Sequence, residues 1–344
     1  MARGLIDDIG FQPIEAASEA LDGFTVRWDY LGVIKNYMRE TMILWPMLPK
    51  EQAESDPVQE LAEGPEPLSG FVDKIGLAPP ENPEDLLAHH PGIPQPVKAV
   101  GGVVRFGHYA RSLYAQQGKP FGELVARRTT RMLIKTLKTL EKALFTGNSS
   151  INPLEFNGID RQMNPANIYP ADLTTGDSIV RKLRGIVRLA MDDPDILKNI
   201  THIYCSGLAL NILENEVDAK LEYHNLDMIR PGLRVPAIVT QAGIIPILPS
   251  PFVPNIKGRN GAKDIIRFYL LDTSSLVWKG VYPEGGQRTF EPQIFEVSTF
   301  NNSAVPYLLD KRMALAYGTL YLGNAGMNVY RLDCAVPNGT IGSI

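Results

Sequence analysis

The stretch GELVARRTTRMLIKTLKTLEKALFTGN, residues 122–148, has the clearest periodic pattern in this sequence. At about 100° per residue, one face of a helix would collect its apolar side chains, namely Val125, Ala126, Met132, Leu133, Leu137, Leu140, Ala143 and Leu144. The pattern predicts a single α-helix over about residues 122–145. Gly147 and Asn148 are expected to end it, because both residues accept positive φ. Such a helix is roughly 36 Å long, which is unusual for a small domain.

The opposite face of this helix carries six cations: Arg127, Arg128, Arg131, Lys135, Lys138 and Lys142. Like charges one turn apart repel by a few tenths of a kcal/mol per pair. The acids of the helix, Glu123 and Glu141, are predicted at the edge of this face. A solvated face is one interpretation. The other is contact with a polyanion, either nucleic acid or an acidic segment of a neighbouring chain, through Arg128, Arg131, Lys135, Lys138 and Lys142.

Residues 46–96 differ in composition from the rest of the chain. Eleven of the 27 prolines lie there, and Lys74 is the only basic residue between Glu51 and Pro96. Proline removes backbone donors and restricts φ, so the stretch is predicted to be extended and irregular. A compact domain rarely holds some fifty such residues unless they are disordered or lie on another molecule. The stretch therefore suggests an assembly, and three of its acids are candidates for contact with an adjacent subunit: Glu60, Glu63 and Glu66.

The remainder of the chain predicts a mixed α+β structure. A second amphipathic helix at about residues 177–191, with Thr175 or Asp177 as its cap, precedes a strand at residues 200–205. A shorter helix and a β-rich run follow, which together favour helices packed on a sheet. Near the C-terminus, strands at residues 312–322 and 327–332 flank Gly323-Asn324-Ala325-Gly326, a sequence typical of a hairpin turn.

Several classes of function have no support in the sequence. The net charge of −4 excludes a uniformly basic nucleic-acid binder, and two distant cysteines indicate neither a disulfide framework nor a zinc site. No nucleophile elbow, Walker loop, dinucleotide fingerprint or HExxH motif occurs. No apolar run approaches the length needed to cross a bilayer. We therefore predict no catalytic, cofactor-binding or metal-binding residues, no cofactor, no membrane partner, and a protein that is not an enzyme.

The order of these parts resembles that of a known family. The long helix ends in EKALFTG (residues 141–147), LEFNGI (residues 154–159) follows, and YGTLY (residues 317–321) lies in a late strand. This arrangement resembles the major capsid proteins of tailed bacteriophages, with the Hong Kong ninety-seven type fold shared with encapsulins and herpesvirus shells. The resemblance extends from about Val97 to Leu332.

The resemblance implies a division of the chain into five parts. Residues 1–50 would be an N-terminal arm and 51–112 an extended loop. Residues 113–165 would form a peripheral domain containing the long spine helix, and 166–288 an axial domain. Residues 289–344 would return to the peripheral domain as strands beside the spine helix, followed by the C-terminus.

The resemblance also implies a function and partners. The chain would be a major capsid protein that assembles with itself, as pentamers and hexamers, into an icosahedral head shell around double-stranded DNA. A separate scaffolding protein, a portal, and a decoration or cement protein are further implied partners. The implied location is the virion capsid, with the host cytoplasm during assembly.

Two alternatives remain open. One is an encapsulin-type nanocompartment shell, which has the same fold but holds a cargo enzyme. The other is an α/β hydrolytic enzyme, supported only by the alternation of helix and strand in the middle of the chain.

Overall fold

The computed structural model describes residues 24–27, 42–58, 94–107, 113, 116, 121–192, 200–217, 222–225, 234–259, 262–282, 289–298, 309–323 and 329–341. In these residues the helices are α1 (Phe121–Thr146), α2 (Ile159–Gln162), α3 (Ile179–Asp192) and α4 (Gly207–Val217). The strands are β1 (Phe24–Arg27), β2 (Lys50–Gln52), β3 (Lys98–Gly107), β4 (Ile168–Asp172), β5 (His202–Cys205), β6 (Glu222–Asn225), β7 (Arg234–Thr240), β8 (Gly243–Pro249), β9 (Asp264–Leu271), β10 (Leu276–Val281), β11 (Gln293–Ser298), β12 (Leu309–Leu322) and β13 (Val329–Val336). The fold is α+β, as predicted.

Helix α1, the predicted spine helix, is 26 residues long. Its apolar residues are buried on one face, as the periodicity predicts. Two threonines lie on the same face, and each hydroxyl donates to a carbonyl one turn back: Thr129 to Val125 O at 2.7 Å and Thr136 to Met132 O at 3.1 Å. These bonds satisfy polar groups that would otherwise be costly to bury.

The reason proposed for the glycine at the end of this helix was wrong, because Gly147 does not have positive φ. Close packing requires the glycine instead. Gly158 N donates to Gly147 O at 2.9 Å, which brings the chain back against the helix end. A Cβ on Gly147 would lie 2.4 Å from Phe156 O, and one on Gly158 would lie 2.4 Å from Ala143 O.

The first sheet is built around β12, the longest described strand. β3 pairs along one edge of β12, and the other edge pairs first with β11 and then with β10. β1 and β2 extend the sheet beyond β11 and β10. β3 begins at Lys98, opposite Gly318, and beyond that point the Gln162 side chain takes its place. Its Nε2 donates to Leu320 O at 2.8 Å, and its Oε1 accepts from Leu322 N at 3.2 Å.

The second sheet has the order β4-β13-β9-β5-β8-β7-β6. Helices α3 and α4 cover one of its faces with the buried side chains of a separate core, which includes Leu183, Ile186, Leu213, Phe268 and Leu332. Helix α3 begins as its amphipathic pattern predicts. Its cap, however, is Ser178, whose Oγ accepts from Arg181 N at 3.2 Å, and not Thr175 or Asp177. The Asp177 carboxylate accepts from Asp172 N instead.

The hairpin predicted around residues 323–326 is wrong. β12 lies in the first sheet and β13 in the second, where β13 pairs with β4 and β9. β13 therefore does not accompany β12 beside the spine helix. The physical reason is that other strands occupy both edges of β13, and both edges of β12 along most of its length, so the two strands have no register in which to pair.

The larger core joins the two sheets. It contains the apolar face of α1, side chains of β10 and β12, and residues of the second sheet such as Tyr204, Tyr269 and Leu271. Phe145, at the end of α1, contacts the rings of Tyr204 and Tyr269 with centroids 6.1 and 5.5 Å apart. The spine helix is therefore fixed to both sheets at its C-terminal end.

Candidate functional surfaces

The polar face of α1 is an exposed row of cations. Arg128, Arg131, Lys135, Lys138 and Lys142 are all exposed, as predicted from the period of the helix. At 1.5 Å per residue they span about 21 Å of helix axis. In the part of the chain that the structure describes, no carboxylate lies within ion-pair distance of any of the five. We call these five residues the cationic stripe.

The exposed cations of α3 provide a contrast. Lys182 pairs with Asp177 at 3.3 Å, and Arg188 pairs with Asp192 at 3.6 Å, one turn away on the same helix. Arg184 Nε donates to Val239 O at 3.0 Å. Cations on an exposed helix of this protein can thus find partners within the same subunit. The cationic stripe of α1 has none among the described residues and keeps its charge available to an external anion.

The sequence analysis predicted Glu141 at the edge of the cationic face, and this prediction was wrong. Glu141 is fully buried, and its carboxylate accepts backbone N–H groups from Ile43, Leu44 and Trp45. Burial raises its pKa from 4.5 to about 7, against the lowering effect of the three hydrogen bonds. Glu141 is the only acidic residue between Arg128 and Lys142, and it is buried, so no exposed acid interrupts the cationic stripe. The side chain of Glu123 lies outside the described residues.

Residues 59–93, most of the proline-rich stretch, lie outside the described residues, and so do Glu60, Glu63 and Glu66. The two ends of this stretch meet on the body. Val58 and Gln95 exchange backbone hydrogen bonds at 2.9 and 2.8 Å, and Asn157 Nδ2 donates to Gln95 Oε1 at 3.0 Å. The residues on either side of 59–93 thus lie together, beside the loop that follows the spine helix.

Lysine–glutamate pairs fix the chain just before this point. Lys50 pairs with Glu291 at 2.7 Å, and Lys279 pairs with Glu51 at 2.6 Å. The Lys279–Glu51 pair links β2 to β10, and the Lys50–Glu291 pair links β2 to the segment that precedes β11. The chain is therefore anchored to the first sheet immediately before residues 59–93.

The loop at residues 147–158 is held by its own side chains. Asn157 Oδ1 accepts from Ser149 N at 3.0 Å and from Ser149 Oγ at 2.8 Å. Asn152 contributes both ends of its amide: Oδ1 accepts from Leu154 N at 3.2 Å, and Nδ2 donates to Glu155 Oε1 at 3.1 Å. Such a network of local bonds gives the loop a defined shape.

This loop exposes two large apolar side chains. Ile151 is 82% exposed and Leu154 is 80% exposed, whereas the next most exposed large apolar side chain of the described residues, Val103, is 49% exposed. Single exposed apolar residues are common on protein surfaces. Two on one hydrogen-bonded loop form a preorganised apolar contact site, because little conformational entropy remains to be lost on binding. The sequence analysis missed this site, although Ile151 and Leu154 are large apolar residues within the otherwise polar residues 148–155.

An ionic network joins α2 to the second sheet. Asp160 accepts from Arg267 Nη1 at 3.0 Å, from Arg331 Nη1 at 2.9 Å and from the Tyr269 hydroxyl at 2.8 Å. Arg331 also forms a two-pronged pair with Asp333, with both contacts at 2.8 Å. Two arginines balance two aspartates, so the network is neutral overall and positions α2 without creating a charged site.

The described residues contain neither an exposed cysteine nor a cluster of metal-ligating side chains. Cys205 and Cys334 are buried, and burial raises the pKa of the Cys334 thiol to about 12 and that of Cys205 further, so neither is a thiolate near neutral pH. No cluster of three or more His, Cys, Asp or Glu side chains in the described residues could hold a metal ion. None of the described helices combines the length and the apolar character required to cross a membrane.

Comparison with known proteins identifies similar structures. No protein-family model and no curated protein matches the chain. The capsid of an empty GTA particle has a TM-score of 0.52 at 12% identity, covering 85% of this chain and 90% of that chain. The capsid of cyanophage A-1(L) has a TM-score of 0.52 at 11% identity, covering 83% and 89%. The holo-SrpI encapsulin complex from Synechococcus elongatus has a TM-score of 0.51 at 15% identity, covering 84% and 86%.

These similarities extend over most of this chain and most of each neighbour. They show that the chain has the Hong Kong ninety-seven type fold, which confirms the fold expected from the order of the sequence motifs. Phage capsids and an encapsulin match equally well, so the fold alone does not distinguish the two kinds of shell.

Proposed function

We propose that this protein is the major capsid protein of a tailed bacteriophage, assembling with itself into the icosahedral head shell around double-stranded DNA. The observation that carries the proposal is the shared fold over more than four fifths of the chain, with solved neighbours that are capsid or shell proteins. Pentamers and hexamers of this chain would form the shell. The virion capsid would be its location, after assembly in the host cytoplasm.

The parts of the chain have proposed roles in that shell. Residues 113–165 and 289–344 are assigned to the peripheral domain and 166–288 to the axial domain, which meets its copies around the five-fold and six-fold axes. Two strands cross these bounds, because β13 pairs within the second sheet and β10 within the first. Residues 1–50 are the N-terminal arm and 51–112 the extended loop over a neighbouring subunit. The convergence of Val58 and Gln95 at one point supports an extended excursion from the body.

The cationic stripe is proposed to face the lumen of the shell and to contact packaged DNA. Five cations over about 21 Å of helix axis run beside a polymer that carries a phosphate charge per roughly 1.7 Å. Such contacts attract DNA of any sequence without reading its bases. The lack of intramolecular partners supports this role, because none of the described carboxylates neutralises these charges.

Two contacts between copies follow from the same proposal. Glu60, Glu63 and Glu66 would lie against a basic or neutral surface of an adjacent subunit, which gives charge complementarity across the interface. A second copy would bury Ile151 and Leu154. Full burial of a side chain of this size contributes about 1.5–3 kcal/mol to the free energy of association. A separate scaffolding protein, a portal, and a decoration or cement protein are the remaining proposed partners.

An encapsulin-type compartment is the second candidate, since an encapsulin shares the fold to the same degree. The cationic stripe favours the DNA-containing shell, because a cargo of folded protein does not require a continuous row of unpaired cations. Purified particles decide between the two. Nuclease-protected DNA inside them is the expected result, and particles filled with a cargo enzyme and free of DNA would reject the phage head in favour of the compartment.

A further inference from the structure

The end of the spine helix carries a buried carboxylate that pairs with no cation of the described residues. Glu141 is 0% exposed. Its Oε1 accepts from Ile43 N at 3.1 Å and from Leu44 N at 2.8 Å, and its Oε2 accepts from Trp45 N at 3.0 Å. Three consecutive backbone donors from a segment almost a hundred residues earlier in the chain thus converge on one side chain.

That segment, residues 42–48, is itself part of the larger core. Met42, Leu44 and Trp45 are all 0% exposed. The Trp45 ring meets the Trp278 ring edge-on with centroids 4.9 Å apart, and its Nε1 donates to Glu291 at 3.0 Å. A 3₁₀ turn begins at Trp45, and its N-cap residue, Leu44, provides no side-chain cap. The Glu141 carboxylate therefore supplies, from another element, the acceptor that the first donors of a helix lack.

The charged groups around this carboxylate do not compensate it. Tyr204 on β5 faces Glu141, and its hydroxyl donates to Met47 Sδ at 3.2 Å. Lys50 and Glu291, on the far side of the Trp45 ring, pair with each other at 2.7 Å. The nearest cations on α1 itself, Lys138 and Lys142, are exposed. Among the described residues, only backbone N–H groups stabilise the charge of Glu141, and burial in the core opposes its ionisation.

We propose that Glu141 is a proton-linked clasp: residues 42–48 dock on the spine helix more tightly when Glu141 is protonated, and raising the pH to neutrality loosens them. Only Oε1 accepts two N–H groups, so a proton on Oε2 leaves two of the three backbone bonds in place. Residues 42–48 lie between β1, which pairs with β11, and β2. The clasp thus couples docking of this connecting segment to pH, which goes beyond the shell function and does not depend on it.

The sign follows from the two states of the carboxyl group. With residues 42–48 detached, Glu141 loses its cover, and its pKa returns to the ordinary value of 4.5; in the docked state its pKa is about 7. The docked state binds the proton more tightly, so docking is strongest below pH 4.5 and weakens as the pH rises to about 7. The docking constant then changes roughly tenfold per pH unit within this window, in total by about 70-fold between pH 5 and pH 8.

Amide hydrogen exchange on the full chain tests the clasp directly. Protection of the Ile43, Leu44 and Trp45 amides is measured from pH 5 to pH 8, corrected for the intrinsic pH dependence of exchange. The Leu270 amide, in the central strand β9, should be better protected than residues 43–45 at every pH, which shows that these residues open without unfolding of the whole fold. The expected result is that protection at residues 43–45 falls by one to two orders of magnitude from pH 5 to pH 8, mostly below pH 7.

Two variants separate the carboxyl group from general loosening. Glu141→Gln cannot ionise, and protection of its three amides should change less than threefold over the same range. Glu291→Gln removes the charge of the carboxylate that accepts from the Trp45 indole and pairs with Lys50, but keeps the carboxyl of Glu141, so it should retain the wild-type pH dependence. Wild-type protection at residues 43–45 that is flat from pH 5 to pH 8 overturns the proposal, even if Glu141→Gln fails to fold. A Glu141→Gln protein with the wild-type slope overturns it as well.

Discussion

Replacing three residues of the cationic stripe, as Arg131→Gln, Lys135→Gln and Lys138→Gln together, should change how DNA affinity depends on salt. The three side chains are exposed and have no carboxylate partner in the described residues, so the loss of their charge leaves the fold intact. Each lysine or arginine that neutralises a phosphate contributes about −0.9 to the slope of log affinity against log salt concentration. If all five stripe cations contact phosphates, the slope contributed by the stripe is about −4.5, and the triple variant retains about −1.8.

These slopes predict a large difference in a simple assay. Between 50 and 200 mM salt, affinity for a short DNA duplex should fall about 500-fold for the wild-type stripe and about 12-fold for the variant. Fluorescence anisotropy on the unassembled full chain measures both, because the inner face of a closed shell would be inaccessible to the duplex.

A matched control removes the same number of charges from another exposed helix face, as Arg181→Gln, Arg184→Gln and Arg188→Gln on α3. The control should keep the wild-type slope to within about 0.5. The DNA role of the stripe is refuted if the stripe variant has the wild-type slope, or if the control lowers the slope by as much as the stripe variant does.

Three further predictions concern the fold and the contacts between copies. A Cβ on Gly318 would lie 2.3 Å from the buried Trp278 ring, so Gly318→Ala should lower the free energy of unfolding by about 1–3 kcal/mol in chemical denaturation. Gly185→Ala, in open space on α3, should instead raise it by about 0.5–1 kcal/mol; equal effects at the two sites would contradict the packing described for β10 and β12. Ile151→Asn with Leu154→Asn should leave subunit stability within about 0.5 kcal/mol but reduce the yield of assembled particles, and an unchanged yield would remove these side chains from the interface. Neutralising Glu60, Glu63 and Glu66 together to glutamine should weaken assembly at low salt; particles of unchanged yield and stability would count against charge complementarity at this contact.

The spine helix could be predicted almost to the residue, because amphipathic periodicity is a local property. The prediction of residues 122–145 compares with Phe121–Thr146 in the structure, and the exposed cations lie where the period places them. The same period contained a signal for Glu141 that was not used. Glu141 lies four residues after Leu137 and three before Leu144, both on the apolar face, and it is buried with them.

The pairing of β12 and β13 could not be read in the same way. The glycines at residues 323 and 326 favour a turn, but a turn does not determine which strands lie beside it. Strands distant in sequence, β3 and β9 among them, hold the edges that a hairpin would need. Likewise, nothing local in Ile43-Leu44-Trp45 indicates that its backbone donors bind a glutamate on the spine helix.

Self-assembly of the purified full chain is the most direct test of the proposed function. Size-exclusion chromatography, followed by electron microscopy of the leading fraction, separates a shell protein from a soluble enzyme. The expected result is closed icosahedral particles built of pentamers and hexamers, formed from this chain alone or with a scaffolding protein. A chain that stays monomeric under every assembly condition, with no particles in the images, would contradict the shell function.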